Sequence, residues 1–306
     1  QGRDEACFRL AVDRCFSLAG IGTVVTGTAV SGQINVGDRV LVSPRKLPVR
    51  VRGLHAQNRE ATVGLAGQRL ALNLTATGLE KSDIARGDWI VAEPAQASTR
   101  RIDARIRLLR SEARDLAHWT PVHLHLGASD VGARVVLLEG PTLAAGGSMR
   151  VQLELDRDIS AWHGDRFILR DQSATRTLGG GQVIDPFASA TLRRKPLRLA
   201  ALAAQELPAP DQALQALLAL EQPAGVEIEP FLVARNLQPA QRLALLQAVP
   251  HRAVPDGGGQ RLFAPGQLER VADSLTEALA TYHRSHPDSP GIAPEVLQRQ
   301  AAAKPR

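Results

Sequence analysis

The sequence predicts a mainly β protein that ends in an α-helical part: two β-barrels followed by a winged-helix domain. Short β-rich runs separated by glycines fill roughly the first 187 residues. Leucine and alanine then recur at helical spacing, and a helix, turn, helix and hairpin follow in that order. With 306 residues, of which 44% are hydrophobic, the chain can bury the cores of two or three domains.

The first barrel is predicted at residues 6–94. Its strands are expected in the runs FRLAVDRCF, GTVVTGTAV, DRVLVS, LPVRVRGLH, QRLALNL and DWIVAE. Short, evenly spaced strands with glycine turns are typical of a closed barrel. The stretch AEPAQAST at 92–99 has no apolar periodicity, so it predicts a short linker.

A second barrel is predicted at residues 99–187, and a basic linker with a helix at 188–209. The strands of this barrel are expected in RIDARIRLL, PVHLHLG, ARVVLLEG, MRVQLELD, DRFILRD and QVIDP. The glycines of Gly179–Gly181 favour a bent barrel strand over an anion-binding nest.

The winged-helix domain is predicted at residues 210–285. The segments EPFLVARN and QPAQRLALLQA each place a proline near a helix start, and HRAVPDGGGQRLFAP predicts a hairpin. Together with the longer helix GQLERVADSLTEALATYHRSH, this order is typical of a winged helix. Residues 286–306 indicate the beginning of a second such domain.

Composition narrows the class of protein. Cys7 and Cys15 are too few for a disulfide framework, which favours a reduced, cytoplasmic chain. No apolar run approaches the roughly 18 residues of a membrane span. The charge balance of 37 − 31 = +6 and the pI near 10.1 permit a polyanionic partner. Because the first residue is Gln1, we expect the chain to begin inside a longer protein.

Two arginine clusters suit phosphate backbones, where each contact adds salt-sensitive affinity. In the first cluster no acidic residue intervenes, and the second lies at the entry to the helical part. A solvated surface is the alternative for any single arginine. The clusters are Arg45, Lys46, Arg50, Arg52 and Arg59, and Arg193, Arg194, Lys195 and Arg198.

Several chemistries find no support in the sequence. Gly20 and Gly22 do not begin a dinucleotide loop, because Val25 replaces the third glycine and a β-run follows. There is no G-x-x-x-x-G-K-[ST] loop and no nucleophile with a neighbouring base. We therefore expect no enzyme activity and no cofactor in this chain.

Three histidines, His118, His123 and His125, raise the possibility of a metal site. They have no Cys or acidic ligand at set spacing, and this favours barrel packing over zinc.

The run FRLAVDRCFSLAGIGTVVTGTAVSGQINVGDRVLV, with VGLAGQRLALNL and DIARGDWIV after it, resembles the second domain of EF-Tu-class elongation factors. PVHLHLGASDVGARVVLLE and DRFILRDQSATRTLGGGQVIDP are similar to the third domain of the same factors. Together the matches cover about Ala6 to Phe187. In that class the first barrel supports the aminoacyl end of tRNA, and the second grips the T-stem side.

Three short segments resemble the selenocysteine-specific branch, SelB. DRCF at 13–16 stands where EF-Tu-like sequences read E-D-V-F, and AGQR at 66–69 stands where they read A-G-Q-N. HAQN at 55–58 is also similar to that branch. The resemblance implies a selenocysteine pocket in which two arginines face a selenolate and the aspartate orients the first arginine. Its members would be Asp13, Arg14, Arg69 and His55.

The same resemblance implies the partners. They are selenocysteinyl-tRNA, the ribosome and, through absent C-terminal domains, a selenocysteine-insertion mRNA hairpin. GTP and Mg would belong to an absent N-terminal domain, and the factor is expected to act as a monomer away from membranes. The candidates for tRNA-backbone contact are Arg50, Arg52, Arg170 and Arg176.

Two other function classes stay open. A general aminoacyl-tRNA factor of the EF-Tu class would carry the extra arginines without using them for cargo choice. A winged-helix DNA-binding regulator would place Gln241, Arg242 and Gln247 on its recognition helix, although that helix carries only one basic residue. An enzyme acting on a small molecule has no catalytic constellation to support it.

Overall fold

The computed structural model describes residues 5–191 and 193–297, and its architecture of two β-barrels followed by helices confirms the predicted fold class. In the first barrel six strands close a ring in the order β4, β9, β1, β2, β8, β5 and back to β4. Of the other strands, β6 adds to β5, while β3 and β7 pair with each other. The strands are β1 Arg9–Leu18, β2 Gly22–Ser31, β3 Gln33–Asn35, β4 Arg39–Ser43, β5 Leu47–Ala56, β6 Arg59–Ala61, β7 Val63–Leu65, β8 Arg69–Thr75 and β9 Trp89–Val91.

Alternation along the strands fills this barrel. In β8, Leu70, Leu72 and Leu74 point inward and are buried, while the residues between them lie on the outer face. Gly27 is required where β1 and β2 come closest, because a Cβ there would lie 2.0 Å from the carbonyl oxygen of Ala11. The apolar period of two therefore determines which side chains remain outside.

The second barrel closes in the order β10, β15, β13, β12, β16, β17. Gly179 and Gly181 lie in β17, where an added Cβ would come within 2.2 Å of the carbonyl oxygens of Arg107 and Arg105. The prediction of a barrel strand rather than a nest at this triplet is confirmed. The strands are β10 Thr99–Leu108, β11 Leu116–Ala117, β12 Thr120–Leu126, β13 Ser129–Leu137, β14 Thr142–Leu143, β15 Ser148–Ile159, β16 Arg166–Asp171 and β17 Thr177–Asp185.

The predicted linker at 92–99 is not an exposed connection. Ala95 and Ala97 are buried, and their carbonyl oxygens accept hydrogen bonds from Trp162 Nε1 at 2.9 Å and Ser43 Oγ at 2.6 Å. Small alanine side chains let this segment pass between the barrels, which a composition-based prediction could not show. The linker is thus part of the interface between the two barrels.

A buried ion pair crosses the same interface. Arg9 of β1 donates to both carboxylate oxygens of Asp165, with distances of 3.1 to 3.2 Å. The Arg9 guanidinium also lies 4.2 Å from the ring centroid of Trp162 and 5.5 Å from that of Trp89. The two barrels therefore share one charged, aromatic-lined contact.

The helical part follows the winged-helix order. A helix precedes one short strand, two helices and a hairpin, and the three short strands form one sheet in the order β18, β20, β19. The elements are α1 Pro196–Gln205, α2 Pro210–Ala219, β18 Val226–Glu227, α3 Ile228–Ala234, α4 Pro239–Ala248, β19 Arg252–Asp256, β20 Gly259–Phe263 and α5 Gln267–Ser285.

Helix α1 and the segment before it dock on the second barrel through ion pairs. Arg198 donates to the carboxylates of Asp103 and Asp185. Arg193 pairs with Glu154 of β15. These two members of the second arginine cluster are bound to protein carboxylates. The prediction that they are available to bind phosphate is therefore wrong.

The turn between α3 and α4 packs against the interface between the barrels. Asn236 adopts a left-handed conformation, with φ of 53°, and its Nδ2 donates to Cys7 O and Ser31 Oγ at 3.0 Å. In α4, Arg242 donates to Pro94 O at 2.8 Å and Gln241 Oε1 accepts from the Gln238 amide.

These contacts bear on the DNA-binding alternative. Two of its three proposed reading side chains, Gln241 and Arg242, are held within the protein, and only Gln247 is exposed. This contradicts the placement of α4 as a free recognition helix.

The predicted further unit at 286–306 lies partly outside the described residues. Among the helices that the structure describes, none is both long and apolar enough to cross a membrane.

The barrel interface yields a stability prediction. Asp165→Asn leaves the Arg9 charge buried without its partner, so we expect the free energy of unfolding to fall by about 3–5 kcal/mol. Urea titration followed by circular dichroism measures it. The matched control is Asp158→Asn, which breaks an exposed pair with Arg100 and should cost below about 1 kcal/mol. Equal small losses would contradict the role given to Arg9 and Asp165.

The lowered pKa of His163 predicts that the stability of the fold depends on pH. Burial, and then the charge of Arg235, lower the pKa of His163 from 6.5 to about 4. Between these values the unfolded chain binds a proton that the folded chain does not. The free energy of unfolding should therefore fall by up to about 3 kcal/mol as pH decreases from 6.5 to 4.

The substitution His163→Gln should flatten that part of the profile, measured as urea midpoints at half-unit pH steps. His283→Gln, at an exposed position of α5, should reproduce the profile of the unsubstituted protein. An unchanged slope in His163→Gln would show that another group is responsible.

Candidate functional site

A row of outward-facing residues crosses four strands of the first barrel. Arg14 of β1 is the register partner of Thr26, Thr26 of Ala71, and Ala71 of His55. Register partners in antiparallel strands project from the same face. With neighbouring strands about 4.8 Å apart, Arg14 and His55 mark the ends of a row about 14 Å wide.

A β-bulge adds Asp13 to this face. The register of β1 on β2 shifts between Val12 and Arg14, which leaves Asp13 as the extra residue. Its carboxylate accepts a hydrogen bond from Thr26 Oγ1 at 2.7 Å. Arg69 Nη1 and Nη2 donate to its two oxygens at 2.5 and 3.2 Å. One carboxylate therefore joins side chains from β1, β2 and β8.

The charges on this face favour an ionised Asp13. Partial burial raises its pKa, but hydrogen bonds from Arg69 and Thr26 and the charges of Arg69 and Arg14 outweigh burial, so the pKa lies below its ordinary value. At neutral pH the two guanidinium groups and one carboxylate therefore carry a net charge of +1.

The contact of Asp13 differs from the sequence-based expectation. Asp13 orients Arg69 and not Arg14, because the bulge turns its carboxylate toward Thr26 and β8. Within the described residues Arg14 has no hydrogen-bond or ion-pair partner and is exposed. His55 is exposed at the far end of the row. Arg14, Arg69 and Asp13 thus lie together, with His55 beyond Ala71.

A basic strip lies on the same barrel, further along β5 from His55. Arg50 and Arg52 lie on the outer face of β5, and Arg50 donates to Gly37 O at 3.0 Å. Sequence reasoning missed Arg39, the register partner of Arg50 on β4. Two cross-strand arginines repel each other unless an anion lies between them. The spacing of 11 residues between Arg39 and Arg50 does not indicate that they are neighbours, because their contact depends on strand register.

The candidate arginines of the second barrel lie in the β16–β17 hairpin. Arg176 pairs with Glu112 at 3.1 Å, and Arg170 Nη2 donates to Thr175 O at 3.4 Å. Asp171 accepts hydrogen bonds from the Thr175 and Arg176 amides at 2.8 and 3.0 Å. The two arginines are therefore close neighbours on an ordered turn, and each already has a protein partner.

The histidines of the second barrel make polar contacts within the fold. His123 Nδ1 lies 2.9 Å from an oxygen of Asp130, and the His123 and His125 rings are stacked with centroids 6.5 Å apart. His118 Nδ1 accepts from the Leu137 amide at 3.2 Å. The part of the chain that the structure describes contains no group of three or more histidine, cysteine or acidic side chains arranged to hold a metal ion.

Comparisons with known proteins assign this architecture. Residues 22–91 match the family model of elongation factor Tu domain 2, and residues 103–190 match that of the selenocysteine-specific elongation factor β-barrel domain. The fold therefore defines a translation elongation factor body of the EF-Tu class.

Similar proteins identify the branch of that class. The selenocysteine-specific elongation factors of Escherichia coli (strain K12) and Haemophilus influenzae are 38% and 33% identical over 96% of this chain, which covers 45% and 46% of their lengths. This chain is similar to the selenocysteine-specific elongation factors and spans less than half of their length. A crystal structure of a bacterial selenocysteine-specific elongation factor, EF-Sec, has the same fold, with a TM-score of 0.69 and 20% identity over 97% of this chain and 45% of that one.

Proposed function

We propose that this chain binds selenocysteinyl-tRNA and serves its delivery to the ribosome for UGA recoding. The observation that carries the proposal is the face shared by Asp13, Arg14 and Arg69, with its net charge of +1. The coarser role, a translation-factor body for selenocysteine delivery, rests on the family.

Cargo choice follows from charge. A selenol is more acidic than a thiol or hydroxyl, so the side chain of selenocysteine is anionic at neutral pH. A selenolate beside Arg14 and Arg69 brings the net charge of the group to zero, whereas a serine hydroxyl leaves it at +1. Because an arginine is charged at any physiological pH, this preference does not depend on a protonation event in the protein.

The Asp13 carboxylate sets the strength of this preference. It holds Arg69 in place by two hydrogen bonds, so little side-chain entropy is lost when an anion arrives. It also halves the net charge of the face, from +2 to +1, which weakens the attraction of a tRNA phosphate to Arg14 and Arg69. Arg14, which has no protein partner in the described residues, is the guanidinium free to make a new bond.

The tRNA backbone is assigned to the basic strip of Arg39, Arg50 and Arg52. These exposed side chains lie on β4 and β5 of the barrel that carries the cargo face. Phosphate contacts there add affinity that falls with salt and does not depend on the aminoacyl group. Arg170 and Arg176 remain candidates on the second barrel, where they would have to exchange protein contacts for phosphate.

Other parts of the activity are assigned to other domains. The sequence contains no P-loop, so GTP binding with its Mg²⁺ is placed in a separate nucleotide domain. Recognition of the selenocysteine-insertion mRNA hairpin is likewise placed in further winged-helix domains. The factor is proposed to act as a monomer in the cytoplasm.

The second candidate function is a general aminoacyl-tRNA factor. Elongation factor Tu 2 from Streptomyces avermitilis is also similar, with 31% identity over 58% of this chain, and this similarity supports the second candidate. The two candidates differ in one measurable property. A general factor would bind seryl- and selenocysteinyl-tRNA with similar affinity.

We expect the double substitution Arg14→Gln and Arg69→Gln to remove the preference for selenocysteinyl- over seryl-tRNA while leaving seryl-tRNA affinity nearly unchanged. Charge-assisted contacts of this kind contribute about 1.5–3 kcal/mol, so the ratio of the two affinities should fall by about 10- to 150-fold. Protection of the aminoacyl ester from hydrolysis, titrated with the protein, measures both affinities.

The matched control is Lys46→Gln, which removes an exposed positive charge between β4 and β5, nine residues along the chain from His55. Circular dichroism confirms that the double variant folds, as expected for an exposed ion pair. A double variant that keeps its preference would refute the pocket, and an unsubstituted protein without any preference would favour the general factor.

A further inference from the structure

One of the three tryptophans of the sequence is exposed. Trp89 and Trp162 are 2% and 0% exposed and pack at the interface between the barrels. Trp119, between β11 and β12 of the second barrel, is 43% exposed. Its indole contributes little to the core, and the proposed cargo face of the first barrel does not use it.

The backbone holds Trp119 in an unfavourable conformation. Its φ is +70°, a region that a bulky side chain occupies rarely and at a cost of about 1–3 kcal/mol. The turn is fixed by the Trp119 amide, which donates to Val135 O at 2.7 Å, and by Thr120 Oγ1, which donates to Ala117 O at 2.8 Å. A strained and exposed ring is better explained by binding than by folding.

Cationic and aromatic groups surround the ring. The Arg134 guanidinium lies 6.0 Å from the Trp119 ring centroid, and the His118 ring lies 6.1 Å away at a tilt of 37°. Arg194 Nη2 is 3.0 Å from His118 Nδ1. Neither Arg134 nor Arg194 forms an ion pair with a described residue. Glu154, the register partner of Arg134, pairs with Arg193 and Arg101, and Arg194 Nε donates to Leu137 O at 3.0 Å.

We propose that this aromatic-basic patch, made of His118, Trp119, Arg134 and Arg194, binds an unpaired nucleotide of an RNA strand. The base would stack on the open face of Trp119, and the flanking phosphates would lie against Arg134 and Arg194. An RNA fits better than an apolar protein segment because a guanidinium and an imidazole lie beside the indole. The patch deepens the proposed function by adding an RNA contact on the second barrel.

The test uses the fluorescence of Trp119, because the other two tryptophans are buried. In the 306-residue chain, acrylamide should quench the exposed component of emission, and titration with a single-stranded oligoadenylate should quench that component and protect it from acrylamide. Emission that oligoadenylate does not change would overturn the proposal, as would a Trp119 already shielded from acrylamide without RNA.

Substitution separates binding from folding. Trp119→Gly suits a φ of +70°, so the thermal midpoint should be unchanged or higher, while affinity for labelled oligoadenylate, measured by anisotropy, falls by about 5- to 150-fold. Ile168→Ala, at an exposed apolar position of the same barrel, is the matched control and should bind normally. A lower thermal midpoint with unchanged affinity would show that Trp119 is structural and refute the patch.

Salt dependence tests the phosphate contact. A plot of log affinity against log salt has a negative slope. Arg134→Gln should make this slope less steep by about 0.7, the value for one phosphate on a single strand. An unchanged slope would remove Arg134 from the patch. Because oligoadenylate carries no aminoacyl group, failure here leaves the preference for selenocysteinyl-tRNA intact, and loss of that preference leaves this binding intact.

Discussion

A buried ion pair between Arg9 and Asp165 holds the two barrels together. It joins the first strand of one barrel to the second barrel, and two buried tryptophans lie against the guanidinium. A buried charge without its partner is costly, so this contact specifies one arrangement of the barrels. Asn236 adds the α3–α4 turn to the same interface through Cys7 O and Ser31 Oγ.

The ion pair of the candidate cargo face is exposed, unlike the buried pair between the barrels. Asp13 and Arg69 form a half-exposed ion pair, which contributes little to stability but holds Arg69 in place beside Arg14. The barrel beneath it is rigid, because strand register fixes where each side chain emerges. A rigid scaffold with an arginine held in place suits the proposed discrimination of a selenolate from a hydroxyl by charge.

Much of the fold could be predicted from local patterns. The period of two in β8, the glycines at 179–181 and the helix and hairpin order after Pro210 each reflect a local physical constraint, and the predicted fold class is confirmed. Part of the site could be predicted only by resemblance, through DRCF and AGQR. The partner of Asp13 could not, because Arg69 is 56 residues away and the pairing of β8 with β2 brings it near.

The two barrels, the helical part and the residues that could form a charged face can be predicted from the sequence, since these depend on alternation, turns and residue type. Which charges meet depends on the three-dimensional fold. Arg69 reaches Asp13 across 56 residues, Arg39 faces Arg50, and Arg198 is bound by Asp103 and Asp185. Such pairs depend on register and on packing between domains, and neither leaves a periodic signal along the chain.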